Sequence, residues 1–288
     1  MSIEVTIKQK LFGKQTMPLE VILGDELHYG NFENDHLNDG ELGETEFIAY
    51  HPDHIGRGFS VIWNPSEKKQ IYLRLPQPST PAELTDFFAA IERMAIYWKG
   101  SLTVDGNRQT LPAFLSTLDD MIEFNTKIIK DFSQKVLTGE HEALTLYSAM
   151  WPLAIGKEEA EHFLDNPFYF ATWLHEKQSM DVYFASPDFF SEEEGIVARY
   201  LFTDHLPAIF PNQPSVPFGM TDLTTGKALK CDHWYVYMVL SDSKEPLGEI
   251  EYSKFLSLLP KSKITRYDAE RFLLDELTEE ELKAIAEK

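Results

Sequence analysis

His51-Pro52-Asp53-His54 puts two imidazoles and a carboxylate within four residues, and Asp35-His36 adds a further pair. Imidazole and carboxylate together suit Zn, Mn or Fe. A set of His36, His51, Asp53 and His54 could therefore hold a metal whose bound water acts as nucleophile, as in a metal-assisted hydrolase. The spacing is loose, and loose His/Asp spacing is a low-specificity match. The same stretch brushes a calcium loop: with Asp35 at the first position, Asp39 takes the fifth, Gly40 the sixth and Glu46 the twelfth. Leu37 at the third cannot ligate, and Gly30 and Pro52 interrupt the helices such a loop needs. These imidazoles lie in a Gly-rich context without a rigid ligand frame, so no stoichiometric metal and no cofactor is expected.

Other reactive patterns are thinner. Glu159 and His162 share a helix face, which is half of a di-iron pattern with no second copy. Cys231 has His233 two residues on, but a thiol nucleophile needs a base adjacent in space. One Cys excludes an internal disulfide and any Cys-cluster metal site. The phosphate-binding loop is absent, because Thr225-Gly226-Lys227-Ala228 lacks both the spacing and the hydroxyl residue. Gly56-Arg57-Gly58 stands alone and starts no dinucleotide fingerprint. Neither a serine elbow nor a His-Glu-x-x-His helix occurs. The chain leans away from being an enzyme.

Charge excludes more. Lys and Arg number 26 against 47 Asp and Glu, a net −21 over 288 residues. Phosphate backbones and anionic membranes repel such a chain. No basic residue lies between Lys14 and Arg57, a gap that holds Glu20, Asp25, Glu26, Glu33, Asp35, Asp39, Glu41, Glu44, Glu46 and Asp53. This block is expected to be either a solvated loop or a docking surface for a cationic protein. Glu33, Asp35, Asp39, Glu41 and Glu44 are its candidate contact residues. Apolar residues make up 43% and aromatics 13%, enough to fill real cores. No apolar run reaches a membrane span and no leader is visible, so a cytoplasmic protein is expected.

Elements must position these groups. Ser2–Lys8 alternates as a half-buried strand, and strands are also expected at 47–50, 59–63 and 71–75. Residues 25–45 read as loop from their Gly, Asn and Asp. Thr80-Pro81-Ala82-Glu83 is a capping box opening a helix to Trp98, with Leu84, Phe87, Ile91, Met94 and Trp98 on its apolar face. Asp105-Gly106 reads as a hairpin turn, and a second helix runs from 112 to 136. Later come strands at 144–150, 180–185 and 234–240. Helices are expected at 157–164, 191–202, 252–259, 268–277 and 278–286. Four prolines within 207–219 argue against regular structure there. Tyr72, Pro76, Thr80 and Glu83 have counterparts displaced by 111 residues at Tyr183, Pro187, Ser191 and Glu194, which leaves an internal duplication open.

Ile55-Gly56-Arg57-Gly58-Phe59, Tyr72 through Thr80, and the aromatic-faced helix after it resemble an uncharacterised family of Firmicutes bacteria, known only as a domain of unknown function. The Leu11-Phe12-Gly13 turn, the stretch Tyr252-Ser253-Lys254-Phe255-Leu256, and Asp268-Ala269 before the acidic tail helix extend the likeness over nearly the whole chain. The resemblance implies a cytosolic bacterial protein of this length and transfers no activity.

The expected fold is therefore α+β: two similar-sized halves, 1–139 and 140–288, each with short antiparallel strands packed by helices. The chain reads best as an acidic, non-enzymatic, cytosolic protein that binds another protein, as immunity proteins do. The alternatives are the metal-assisted hydrolase and a small-molecule binder with a pocket between the halves.

Overall fold

The alternation of Ile3, Val5 and Ile7 folds as β1 (Ser2–Lys8), with those three side chains buried and Glu4 and Lys8 exposed. The computed structural model describes residues 1–288 except Leu11, Phe12, Lys14, Asn34, Pro65, Glu67, Lys68, Glu194, Phe218, Leu223 and Thr224. The Leu11-Phe12 part of the expected turn and Glu194, the expected counterpart of Glu83, thus lie outside the described residues. Two compact units are present, Met1–Met180 and Asp181–Lys288. The division falls after residue 180 rather than near Gly139, because the segment 140–180 packs within the first unit.

In the first unit β1 is followed by α1 (Leu19–Leu23), β2 (His28–Glu33), β3 (His36–Asp39), β4 (Glu46–Tyr50), β5 (Phe59–Ile62) and β6 (Gln70–Pro76). Next come α2 (Pro81–Trp98), β7 (Ser101–Val104), β8 (Asn107–Gln109), α3 (Leu111–Leu115), α4 (Leu118–Leu137), β9 (Leu144–Leu146), β10 (Leu153–Ile155), α5 (Lys157–Asp165) and α6 (Tyr169–Gln178). Strands β1 to β8 make one antiparallel sheet in the order β3-β2-β4-β5-β6-β1-β7-β8. Thr80 and Glu83 form the capping box, and Leu84, Phe87, Ile91, Met94 and Trp98 are buried. They pack with Val5, Ile7, Phe59, Val61, Leu73 and Leu75 into the main core. Side chains alternate across a strand, so Ile48 and Tyr50 point away from the core that holds Phe47 and Ala49. They join a smaller cluster of Leu37, Tyr50, Ile55 and Ala149 on the opposite face.

The second unit contains β11 (Tyr183–Phe184), β12 (Pro187–Glu192), β13 (Gly195–Thr203), β14 (Ala208–Pro211), β15 (His233–Val239), β16 (Pro246–Glu251), α7 (Tyr252–Leu258), β17 (Ile264–Arg266), β18 (Arg271–Leu274) and α8 (Glu279–Ala286). Two four-stranded sheets, β11-β14-β18-β17 and β12-β13-β15-β16, surround a core rich in Tyr200, Phe202, Phe210, Phe255 and Phe272. The α+β class therefore holds. No helix among the described residues is long and apolar enough to cross a membrane.

Several local expectations are corrected. Residues 25–45 are not a loop, since β2 and β3 pair with each other and β2 with β4. The Gly-rich composition hid them: Gly30 lies in strand β2, where a Cβ would come within 2.6 Å of the Leu37 side chain. Ser191 starts no helix, because β12 and β13 form a hairpin and β13 also pairs in parallel with β15. β-branched and aromatic residues in 196–203 favour that sheet over a helix. The counterpart of β6 and α2 in the second unit is consequently strand and hairpin, so the 111-residue correspondence does not reflect a duplicated structure. Residues 268–277 hold β18, which pairs on both sides with β14 and β17. Among the prolines, β14 is regular after all. The long helix breaks at Ser116-Thr117, whose hydroxyls bond back to the carbonyls of Ala113 and Phe114. The Asp105-Gly106 turn does join β7 and β8, both residues at positive φ.

Candidate anion-binding cleft

The site begins with Glu83, the third residue of α2, whose carboxylate is buried. One oxygen closes the capping box by accepting from Thr80 N at 2.9 Å. The other accepts from the backbone N–H groups of Arg57 and Gly58, the latter at 2.8 Å. Burial raises the Glu83 carboxyl above its ordinary value, while the three N–H donors and the charge of Arg57 hold it down. Every contact made is one that an ionised carboxylate accepts. Two glycines make room for it. A Cβ on Gly56 would lie 2.3–2.5 Å from the Glu83 carboxylate, and Gly58 has φ +65° with Ile48 only 2.6 Å from where its Cβ would be. The Ile55–Phe59 segment is therefore a loop wrapped on a carboxylate. A Gly58→Ala variant is expected to lose about 1–3 kcal/mol in chemical denaturation, from the strained φ and that overlap.

The loop aims Arg57. Its Nε donates to Tyr147 O at 3.0 Å and one Nη to Pro78 O at 3.2 Å. Other N–H donors of that guanidinium meet no acceptor among the described residues. Burial pushes Arg57 down, to about 10; Glu83 opposes this, and the nearby charge of Arg74 adds to it. The group stays charged at neutral pH. Arg74 comes from β6, where register places Arg74, Ser60 and Ile48 side by side across β6, β5 and β4. Arg74 is exposed and forms no ion pair among the described residues.

A third wall is the segment 147–151. Ala149 N donates to Gly56 O, and Leu37 N donates to Met150 O. Gln178 of α6 clamps the far side, accepting from Met150 N and donating to Trp151 O. Ser148 is thereby buried, and its Oγ has no hydrogen-bond partner among the described residues. These three walls enclose a cleft of about 450 Å³, lined also by Ile48, Ser60, Phe32 and Glu46. In a chain of net −21, Arg57 and Arg74 bring two cations to one hollow; Glu46 also lines it, Glu83 lies behind Arg57, and Glu4 is the cross-strand neighbour of Arg74.

The sequence candidates lie elsewhere. His51 and His54 stack at 3.9 Å in a short 3-10 turn, Pro52–His54, and His51 Nδ1 accepts from Asp53 N. His54 Nε2 lies 2.7 Å from Asp86 of α2. His36 stands on β3, away from that pair in the chain. Among the described residues no three His, Cys, Asp or Glu groups converge as metal ligands. Glu33, Asp39, Glu41 and Glu44 are exposed and Asp35 half-buried, all on or beside the β2–β3 hairpin at the sheet edge. Asp39 also accepts from the Tyr50 hydroxyl at 2.6 Å; burial first, and Asp39 second, push that phenol up.

Arg57, Arg74 and Ser148 were missed by residue spacing. One signal was present: Arg57 ends the basic gap and sits between two glycines. All of the residues lining this cleft belong to the first unit, Met1–Met180. Neither the curated proteins nor the solved structures include a match to this chain. The family described as Domain of unknown function (DUF4299) matches residues 2–285, and the chain belongs to that family.

Proposed function

We propose that this protein is a non-enzymatic binder of a small carboxylate- or phosphate-bearing molecule, held in the cleft between Arg57 and Arg74. One observation carries the proposal: Arg57 is fixed from behind by a buried carboxylate loop and two carbonyls, and both it and Arg74 line the cleft, where neither forms an ion pair among the described residues. Holding two like charges side by side costs free energy that a bound anion offsets. Ser148 supports the same reading, since a buried hydroxyl ordinarily finds a partner. The test is a titration followed by NMR or calorimetry with octanoate and with octyl phosphate, whose binding difference separates the two anion classes. Arg74→Ala is expected to weaken the better probe about tenfold, the scale of one charge-assisted hydrogen bond, with little change in melting because Arg74 is exposed. No saturable binding of either probe, or binding indifferent to Arg74→Ala, overturns the proposal.

A second reading rests on the acidic hairpin. Four exposed carboxylates on one sheet edge support docking of a cationic protein in the cytoplasm. Changing Glu33, Asp35, Asp39, Glu41 and Glu44 to their amides should slow association with oligolysine and flatten its salt dependence, while folding is retained. An unchanged rate at low salt ends this reading.

A further inference from the structure

Resting on the anion reading, we infer that the ligand is amphoteric, with an anionic head at Arg57 and Arg74, an apolar middle and a cationic tail at Glu46. The cleft volume, about 450 Å³, falls in the ~300–1,000 Å³ range of pockets for whole organic molecules. A bare inorganic anion would leave most of it empty. Glu46 marks the other end. It is two residues from Ile48 on β4, so both project from the same face. Register gives the span: Arg74 pairs with Ser60, Ser60 with Ile48, and Glu46 lies one pleat repeat further along. Two strand spacings and one repeat separate Arg74 from Glu46 by roughly 12 Å between Cα atoms. Side chains reaching inward shorten the distance between the charges.

Ile48 occupies the space between, and Phe32 flanks the Glu46 end, so the middle of the ligand meets apolar surface. Glu46 is exposed and, like Arg74, makes no ion pair among the described residues. Opposite unpaired charges at opposite ends of one partly apolar hollow match a molecule with the reverse polarity, such as an ω-amino acid or a short peptide with a free carboxylate.

The experiment compares octanoate with 8-aminooctanoate, which differ only in the terminal ammonium. The intact protein is expected to bind the ammonium compound about threefold tighter, the scale of an exposed ion pair. Added salt should shrink that preference. Glu46→Gln should remove it, bringing 8-aminooctanoate to the affinity of octanoate. Equal binding of the two probes by the intact protein, or a preference that survives Glu46→Gln, overturns the amphoteric assignment while leaving the anion site standing. Binding of both probes indifferent to Arg74→Ala overturns the anion site, and this inference with it.

Discussion

Glu83→Ala is expected to destabilise the first unit by about 3–5 kcal/mol, because it leaves three backbone N–H groups without their acceptor and removes the negative charge beside the Arg57 guanidinium. Three backbone donors converge on that carboxylate from two segments, Arg57-Gly58 and Thr80. Glu83→Gln keeps the shape but turns an amide NH₂ toward an N–H donor, so a smaller loss of about 1–3 kcal/mol is expected. Four of the five tryptophans, Trp63, Trp98, Trp151 and Trp173, lie in the first unit, so their fluorescence follows its unfolding in urea. Separate units need not unfold together, and this probe reports mainly on the relevant one, with Trp234 alone in the second unit. A change below about 1 kcal/mol in Glu83→Ala would mean that the carboxylate does not organise the loop. Arg57 would then lack its support, and the anion site would lose its rigid half.

Phe87→Ala should cost a similar amount, about 3–5 kcal/mol, by a different mechanism. Phe87 is fully buried, and its ring meets Phe59 edge-on at 5.3 Å and Phe88 at 6.4 Å. Phe88 in turn stacks on Phe114 of α3 at 4.2 Å. Removing the Phe87 ring opens a cavity between α2 and the sheet, and neighbouring aromatics on three different elements cannot all collapse into it. The loss should appear as a lower urea midpoint with an unchanged slope. An unchanged midpoint would show that this face of α2 is not core.

The two predictions separate what is local from what is not. The helix face around Phe87 is legible because a 3.6-residue period and a capping box act within one stretch of chain. β1, β4, β5, β6, α5, α7 and α8 are legible for the same reason: alternation, period and caps are short-range physics. Even Glu83 is visible as a cap residue. Its second role is not, because Arg57 and Gly58 reach it only after β5 and β6 pair and α2 crosses the sheet.

Sequence alone also settles the acidic balance, the lone thiol and the absence of the common catalytic motifs. Tertiary structure decided the rest. The capping-box pattern at Ser191 lost to a hairpin because pairing with β15 satisfies the backbone of 197–203 and buries Tyr200 and Phe202. β2 and β3, which carry Gly30, Asn31, Asn38 and Asp39, became strands through pairing with each other and of β2 with β4, against the propensities of those residues. The cleft draws on residues 57, 74 and 148, brought together by cross-strand register and by the clamp of Gln178 on the 147–151 segment. Neither register nor a clamp has a local signature: each depends on which distant backbone groups pair, and that choice is made by burial of the whole sheet.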